Sequence, residues 1–518
     1  MLSIKKIFSL NIIIIFSIII FVYYFFVSID GFGPGDDLSN LLAAQNSNLS
    51  IAEEIQTRIL ERNSFSRPIS IVINVLIHKF FGFESFYYYL TCALIWIGAI
   101  FFTSKSLNFF VNEKLCKIFF LFGSFPFFAT NPFQSPYLLS AYQSSILFWS
   151  VSLYFLLNYA KSNKLYLYFL GIIFLIISIL TFEIILPLIA ISFIWPYIYK
   201  NLTESFDGIY NKKNFLIFAI PICFISILFF IFKVYLIPII TNQEAYGFSP
   251  LNLKSILQAL YCYYAVIIEI PLLLIENIKF IFTIKSLIVG ILIIFFYITL
   301  KKDKADKNFF LNEHTINTKK LFNYSLIIFI LITPSIFLIS SYPAVTYGFN
   351  NKMLISFFII YTILPSMLFF KLLVLKKYII LFTISFLWIN SFVTQVDHFS
   401  ISQKLSEKII KILKLKLSNI DLNEDMILFA NLPHYLKNNF NNERVFSHTW
   451  SIKKHLEKDN IIIKTTSPFL SIQLLSHRQL IDTSYNPNHH NIYKIDKLPN
   501  IGNYYYFQAE ENLKNIEF

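Results

Sequence analysis

Two adjacent carboxylates, Asp36 and Asp37, close the stretch Asp30-Gly31-Phe32-Gly33-Pro34-Gly35-Asp36-Asp37, just past an apolar run at 12–27. Glycines and a proline end a helix and fix a turn, so the pair stands where the chain leaves an apolar segment for water. Neighbouring carboxylates repel unless a proton or a cation lies between them. Such a pair suits a general base, or a shared site for a divalent cation such as Mg or Mn.

The same hydrophilic stretch, residues 29–67, goes on to Glu53, Glu54, Arg58, Glu61, Arg62 and Arg67, with Pro68 directly after. Glu54, Arg58, Glu61 and Arg62 fall at helical spacing, so a helix here carries a face of ion pairs. For the glutamates the plain reading is a solvated, paired helix face. Arg62 and Arg67 have a second reading, because a guanidinium fork matches phosphate oxygens, as on a lipid headgroup. Further candidates lie at later breaks between apolar runs. Glu183 ends Ser178-Ile179-Leu180-Thr181-Phe182-Glu183, at a tight turn between two runs. An acid at membrane depth is costly and usually functional, whereas a wetted one is neither. Tyr347 and Lys352 belong to the loop 341–352, and Lys352 sits at a helix boundary, where simple snorkelling is the alternative to phosphate binding. His448, His477, His489 and His490 lie in a polar tail without an acid or cysteine at ligand spacing, which reads as surface histidine. Asn131, Gln134 and Gln143 could hydrogen-bond sugar hydroxyls.

The elements that position these residues follow from composition. The chain of 518 residues is 56% hydrophobic and 14% charged, with 60 Phe and 31 Tyr, and it breaks into apolar runs of about 20 residues. That excludes an ordinary water-soluble globule. The net charge of +13 does not point to nucleic acid, because the lysines cluster beside the apolar runs. Apolar runs at 7–28, 85–107, 115–130, 138–159, 165–181, 184–199, 214–240, 281–300, 321–340, 353–372 and 378–396 predict about eleven spans. With the N-terminus inside, Lys105/Lys114/Lys117, Lys161/Lys164, Lys200/Lys212/Lys213, Lys301–Lys320 and Lys371/Lys376/Lys377 all fall inside. The short outer loops at 131–137, 181–184 and 341–351 have no Lys or Arg. Residues 255–275 would break that alternation as a span, and they contain Glu269 and Pro271, so they read as an interfacial or re-entrant helix. The run 68–81 is short for a span and reads the same way. Past Val396 the chain turns polar, and a strand with a following turn is predicted at 424–433. The reading is an all-α polytopic membrane protein over 1–396, followed by a small α/β extracytoplasmic domain over 397–518. Lys5 and Lys6 before the first run read as a retained signal anchor. The four cysteines lie in or near apolar runs and imply no disulfide framework.

An acidic pair in the first outer loop, after one N-terminal span, resembles the GT-C glycosyltransferases, which take sugars from polyprenyl-phosphate carriers. Within them the chain is most similar to the bacterial glucosyl transferase II family, which modifies O-antigen. That family's Asp-Asp and later Arg-Pro correspond to Asp36-Asp37 and to Phe65-Ser66-Arg67-Pro68-Ile69. Ser66 stands where the family usually has Gly, and Leu38-Ser39-Asn40 stands where it tends to have an Arg. The resemblance implies a glycosyltransferase of the bacterial inner membrane, acting on lipopolysaccharide. Its donor would be a polyprenyl-phosphate hexose, its acceptor a lipid-linked or surface glycan. Asp36 or Asp37 would be the general base of one inverting displacement, and Arg67 and Lys352 would face the phosphate. Its partners are membrane lipids and these glycans, with no nucleic acid. An O-antigen polymerase or ligase, and a transporter or flippase of lipid-linked sugars, stay as alternatives. Polymerases and ligases keep their arginines in a late loop. Transporters place charges within spans and show internal repeats. Here no repeat is visible, although Lys233 and Lys285 lie in or near apolar runs.

Overall fold

A computed structural model describes residues 49–60, 67–82, 84–130, 136–204, 212–241, 252–280, 283–302, 310, 316–339 and 354–417, and five short strands within 427–508. The helices are α1 (Ile51–Leu60), α2 (Pro68–Phe81), α3 (Ser85–Leu107), α4 (Glu113–Gly123), α5 (Pro136–Ser162), α6 (Leu165–Thr181), α7 (Ile189–Glu204), α8 (Lys212–Ile231) and α9 (Ile237–Thr241). They continue as α10 (Leu253–Tyr264), α11 (Ile270–Glu276), α12 (Ile284–Lys302), α13 (Ile316–Ile332), α14 (Ile336–Ile339), α15 (Phe358–Val374) and α16 (Tyr378–Leu417). Two compact units emerge, one holding most of 49–396 and the other holding 397–518 with two short earlier pieces.

Among the described residues of the first unit, seven helical stretches are long and apolar enough to cross a membrane. They are Ser85–Leu107, Glu183–Asn201, Lys213–Ile239, Leu253–Ile275, Lys319–Leu338, Leu354–Val374 and Tyr378–Asp397. Their outward faces are as apolar as their inward ones. Phe215, Ile220, Phe224 and Ile227 on α8, and Leu257, Leu260 and Ile267 on the α10 stretch, are all exposed. A helix that is hydrophobic all round has no water-facing side, so the chain is a multi-pass membrane protein.

α5 and α7 occupy the middle of the unit: α5 packs on α2, α6 and α7, and α7 also packs on α8 and α13. The α5–α6 contact is close because Gly171 has no side chain. A Cβ there would come within 2.7 Å of Leu156 Cγ and 3.3 Å of the Ser152 carbonyl. Ser152 Oγ donates to the Gly171 carbonyl at 2.6 Å. Gly171→Ala is therefore expected to destabilise by about 1–3 kcal/mol, despite the better helix propensity of Ala. A melting curve of the detergent-solubilised protein checks this.

One expectation about the spans changes. The run 115–130 is not one helix, because α4 ends at Gly123 and residues 124–130 are buried non-helical chain. Side chains from other helices bond to carbonyls around this break. Trp96 Nε1 donates to Gly123 O (2.9 Å), Trp388 Nε1 to Phe122 O (3.0 Å), and Gln395 Nε2 to Phe127 O (2.7 Å). Irregular backbone at this depth survives only inside protein, which is where it lies. The stretch Leu253–Ile275 is as long and apolar as the spanning helices, and Pro271 does not end it. A π-helical turn over Ala265–Glu269 absorbs the missing proline N–H, with Ile270 N–H bonding back to Ala265 O. The helix Pro68–Phe81 is short, as expected.

In the second unit the strands are β1 (Ile427–Asn431), β2 (Gln473–Leu475), β3 (Gln479–Ile481), β4 (Ile492–Lys494) and β5 (Tyr504–Gln508). They form a parallel β2-β1-β5 sheet and an antiparallel β3-β4 pair. β1 falls within the strand expected at 424–433.

Candidate functional site

Three ionisable residues from three parts of the sequence converge inside the helix bundle, and a proline sets the position of each. Arg67 precedes Pro68, the first residue of α2. Proline is at ease at the first helical position and pushes the residue before it out of the helix. The Arg67 carbonyl accepts from the Ser70 N–H (3.1 Å) and Ser70 Oγ (2.8 Å), closing the first turn. Glu183 follows an extended residue, Phe182, at the end of α6 and opens a 3-10 turn, Glu183–Leu188. Pro187 lies in that turn and cannot donate to the Glu183 carbonyl four residues back, so an α-helix cannot run through. Lys233 lies in a π-helical turn, Phe232–Leu236, that ends two residues before Pro238. The Ile237 N–H bonds to Phe232 O, five residues back, which takes up the turn that Pro238 would otherwise break.

Glu183 is the centre of the cluster. Arg67 Nε donates to Glu183 Oε2 at 3.0 Å, and Arg67 Nη2 donates to Oε1, a bidentate fork. Lys233 Nζ lies 2.8 Å from Glu183 Oε2. Exposure rises across the three side chains, from 0% for Lys233 through 5% for Glu183 to 14% for Arg67. The Arg67 guanidinium also lies over the Phe182 ring, 3.9 Å from its centroid, and Phe182 packs on Tyr142 with centroids 4.0 Å apart. The ring fixes the plane of the guanidinium while leaving its edge to the carboxylate. Two cations thus share one carboxylate in a largely buried site.

The cluster ties one end of a helical hairpin. Along α8 and the π-turn that continues it, Lys233 is twenty positions beyond Lys213, about 30 Å at 1.5 Å per residue, which is the thickness of a bilayer's hydrocarbon core. At the other end Asn214 Nδ2 donates to Asn201 Oδ1 (3.3 Å), joining α8 to α7. Lys200 Nζ donates to Asn163 Oδ1 (2.9 Å) there and lies over the Tyr159 ring, 4.7 Å from its centroid. Asn163 takes φ +57° in the tight α5–α6 turn, a conformation asparagine tolerates. One end of the hairpin therefore carries the lysine-rich turns, and the other carries Arg67, Glu183 and Lys233.

Arg67 and Glu183, read separately from the sequence, are thus brought together. Glu183 is not in a wetted turn, because it is buried and paired. Lys233 was legible only as a lone lysine in an apolar run, and its signal was the proline five residues on. Asp36, Asp37, Arg62, Tyr347 and Lys352 lie outside the described residues, and with them the expected divalent-cation site. The ion-paired face of the first loop is present in part: Glu54 pairs with Arg58 (2.9 Å) and also with Lys79 of α2 (2.9 Å). Glu54 is buried by this second pair, so it is not a solvated residue. Its neighbour Glu53 does remain in water, where the Ser50 hydroxyl and N–H hold its carboxyl below the usual glutamate range. Ser50 and Glu53 form a capping box at the start of α1: Ser50 N–H donates to Glu53 Oε2 (2.9 Å) and Glu53 N–H donates to Ser50 Oγ (3.4 Å), with a further bond from Ser50 Oγ to Glu53 Oε2 (2.7 Å). Comparison with protein-family models, curated proteins and solved structures returns no match.

Proposed function

We propose that the chain is an integral-membrane glycosyltransferase of the GT-C type, moving a hexose, glucose by family resemblance, from a polyprenyl-phosphate carrier to a surface glycan such as O-antigen. The observation that carries this reading is the meeting of Arg67 and Glu183 at the lysine-poor end of the hairpin. Arg67 belongs to the Arg-Pro element of the first loop, and it meets Glu183 beside Lys233, which lies about 30 Å of helix from Lys213; this supports a guanidinium at the membrane face opposite the lysine-rich turns, where a lipid phosphate would arrive. In this reading Arg67, with Arg62, Tyr347 and Lys352 of the loops, faces the carrier phosphate and stabilises it as it leaves. Asp36 or Asp37 takes the proton of the acceptor hydroxyl as its oxygen attacks the anomeric carbon from the opposite face. The other Asp orients the acceptor or shares a divalent cation.

The finer topology belongs to the same proposal. It has about eleven membrane segments, with the N-terminus and the lysine-rich turns in the cytoplasm of a bacterial cell. The tail forms a small extracytoplasmic α/β domain around β1–β5. The test is the surface-glycan composition of cells with and without the gene. Loss of one hexose branch supports the transferase. A shortened glycan chain favours the polymerase or ligase, and an unchanged glycan overturns the proposal.

A further inference from the structure

Glu183 has two cationic partners where one would neutralise it, and the partners differ in depth. Lys233 is fully buried at the back, whereas Arg67 is the most exposed of the three and lies flat on Phe182. A buried carboxylate with a single partner holds it tightly, because separation strands a desolvated charge. A carboxylate with a second, standing cation is not stranded when the first one leaves. The two cations also repel each other across Glu183, which loosens the outer one. We propose that Lys233 is a positioning residue, the standing counter-ion of Glu183, which makes Arg67 releasable to an anionic phosphoryl group arriving at the mouth of the cluster. The inference rests on the transferase reading only for the phosphoryl group's source as a lipid carrier. The π-turn before Pro238 is the device that holds Lys233 in place, as such turns often do at functional sites.

The readout is the reactivity of Arg67 itself, measured by mass spectrometry of phenylglyoxal adducts on the purified full chain in detergent. Lys233→Met takes away the buried cation and leaves Arg67 to pair with Glu183, so Arg67 should be modified severalfold more slowly. Lys233→Arg, which keeps the charge, should react at the wild-type rate. The double variant Glu183→Gln with Lys233→Met removes the buried carboxylate, so fast modification should return. A purely structural role for Lys233 gives the opposite: the double variant is no better than the single, and Lys233→Met exposes Arg67 rather than shielding it. Either result overturns the proposal, as does an unchanged rate in Lys233→Met. Lys233→Gln replaces Lys233→Met if that protein is not recovered folded. Farnesyl phosphate, inorganic phosphate and farnesol serve as protecting probes. Protection of wild-type Arg67 by farnesyl phosphate alone assigns the anion to a lipid carrier, and equal protection by inorganic phosphate assigns it to a free phosphate. Protection by neither, or by farnesol, overturns the proposal. None of these outcomes depends on Asp36 or Asp37, so the transferase reading can fail separately.

Discussion

Glu183→Ala is expected to cost about 3–5 kcal/mol of stability. The substitution removes the carboxylate that lies between two cations, one of them fully buried, and leaves them facing each other in a buried site. It also cuts the tie between α2, the α6–α7 break and the α8 hairpin end. Surface ion pairs contribute about 0–1 kcal/mol, so a small effect is what an exposed Glu183 would give. Glu183→Ala combined with Lys233→Met should lose clearly less than Glu183→Ala alone, because one stranded cation is gone. Thermal melts of detergent-solubilised variants read both effects. A melting temperature for Glu183→Ala within about 2 °C of wild type would show that the three residues do not form a stabilising buried cluster.

Asp36→Asn and Asp37→Asn are expected to leave insertion and melting unchanged and to reduce sugar transfer. The variant at the general base should lose about 10²–10⁴-fold, the usual contribution of such a group. Asparagine keeps the size and hydrogen-bonding reach of aspartate but accepts no proton at neutral pH, so the loss isolates proton transfer from folding. The variant with the larger fall identifies the base. The other, as an orienting or metal-sharing neighbour, should lose less, and added Mg or Mn should recover part of its rate only if a cation is shared. Wild-type transfer in both variants contradicts the assignment of the pair.

The helices were legible because apolar length and lysine clusters are local signals. The predicted run 85–107 is Ser85–Leu107, and the basic turns at Lys161–Lys164 and Lys371–Lys377 are where helices end. α4 ends where Gly123-Ser124-Phe125-Pro126 interrupts an otherwise apolar run, a local stop signal that apolar length alone passes over. What the sequence does not show is where the N–H groups that bond to the carbonyls around this break come from, namely Trp96, Trp388 and Gln395 in other helices. The α10 stretch, set apart from the spans because crossing there would break the lysine alternation, is as long and apolar as they are, and its Pro271 is accommodated by a π-turn that no local signal announces. The candidate site divides the same way. Arg67 and Glu183 each stood out as a charge at a helix break, but their contact spans 116 positions, which no spacing rule reaches. Lys233 looked like an isolated charge in a span, and only the fold supplies its partner fifty residues upstream.

The most direct measurement is turnover of a polyprenyl-phosphate hexose by the purified full chain in liposomes, with lipid-linked O-antigen as acceptor. The transferase reading predicts release of free polyprenyl phosphate with hexose appearing on the glycan, slowed in Arg67→Ala and lost in the variant of the base. Donor that stays intact beside acceptor and folded protein, with or without added divalent cation, would contradict it.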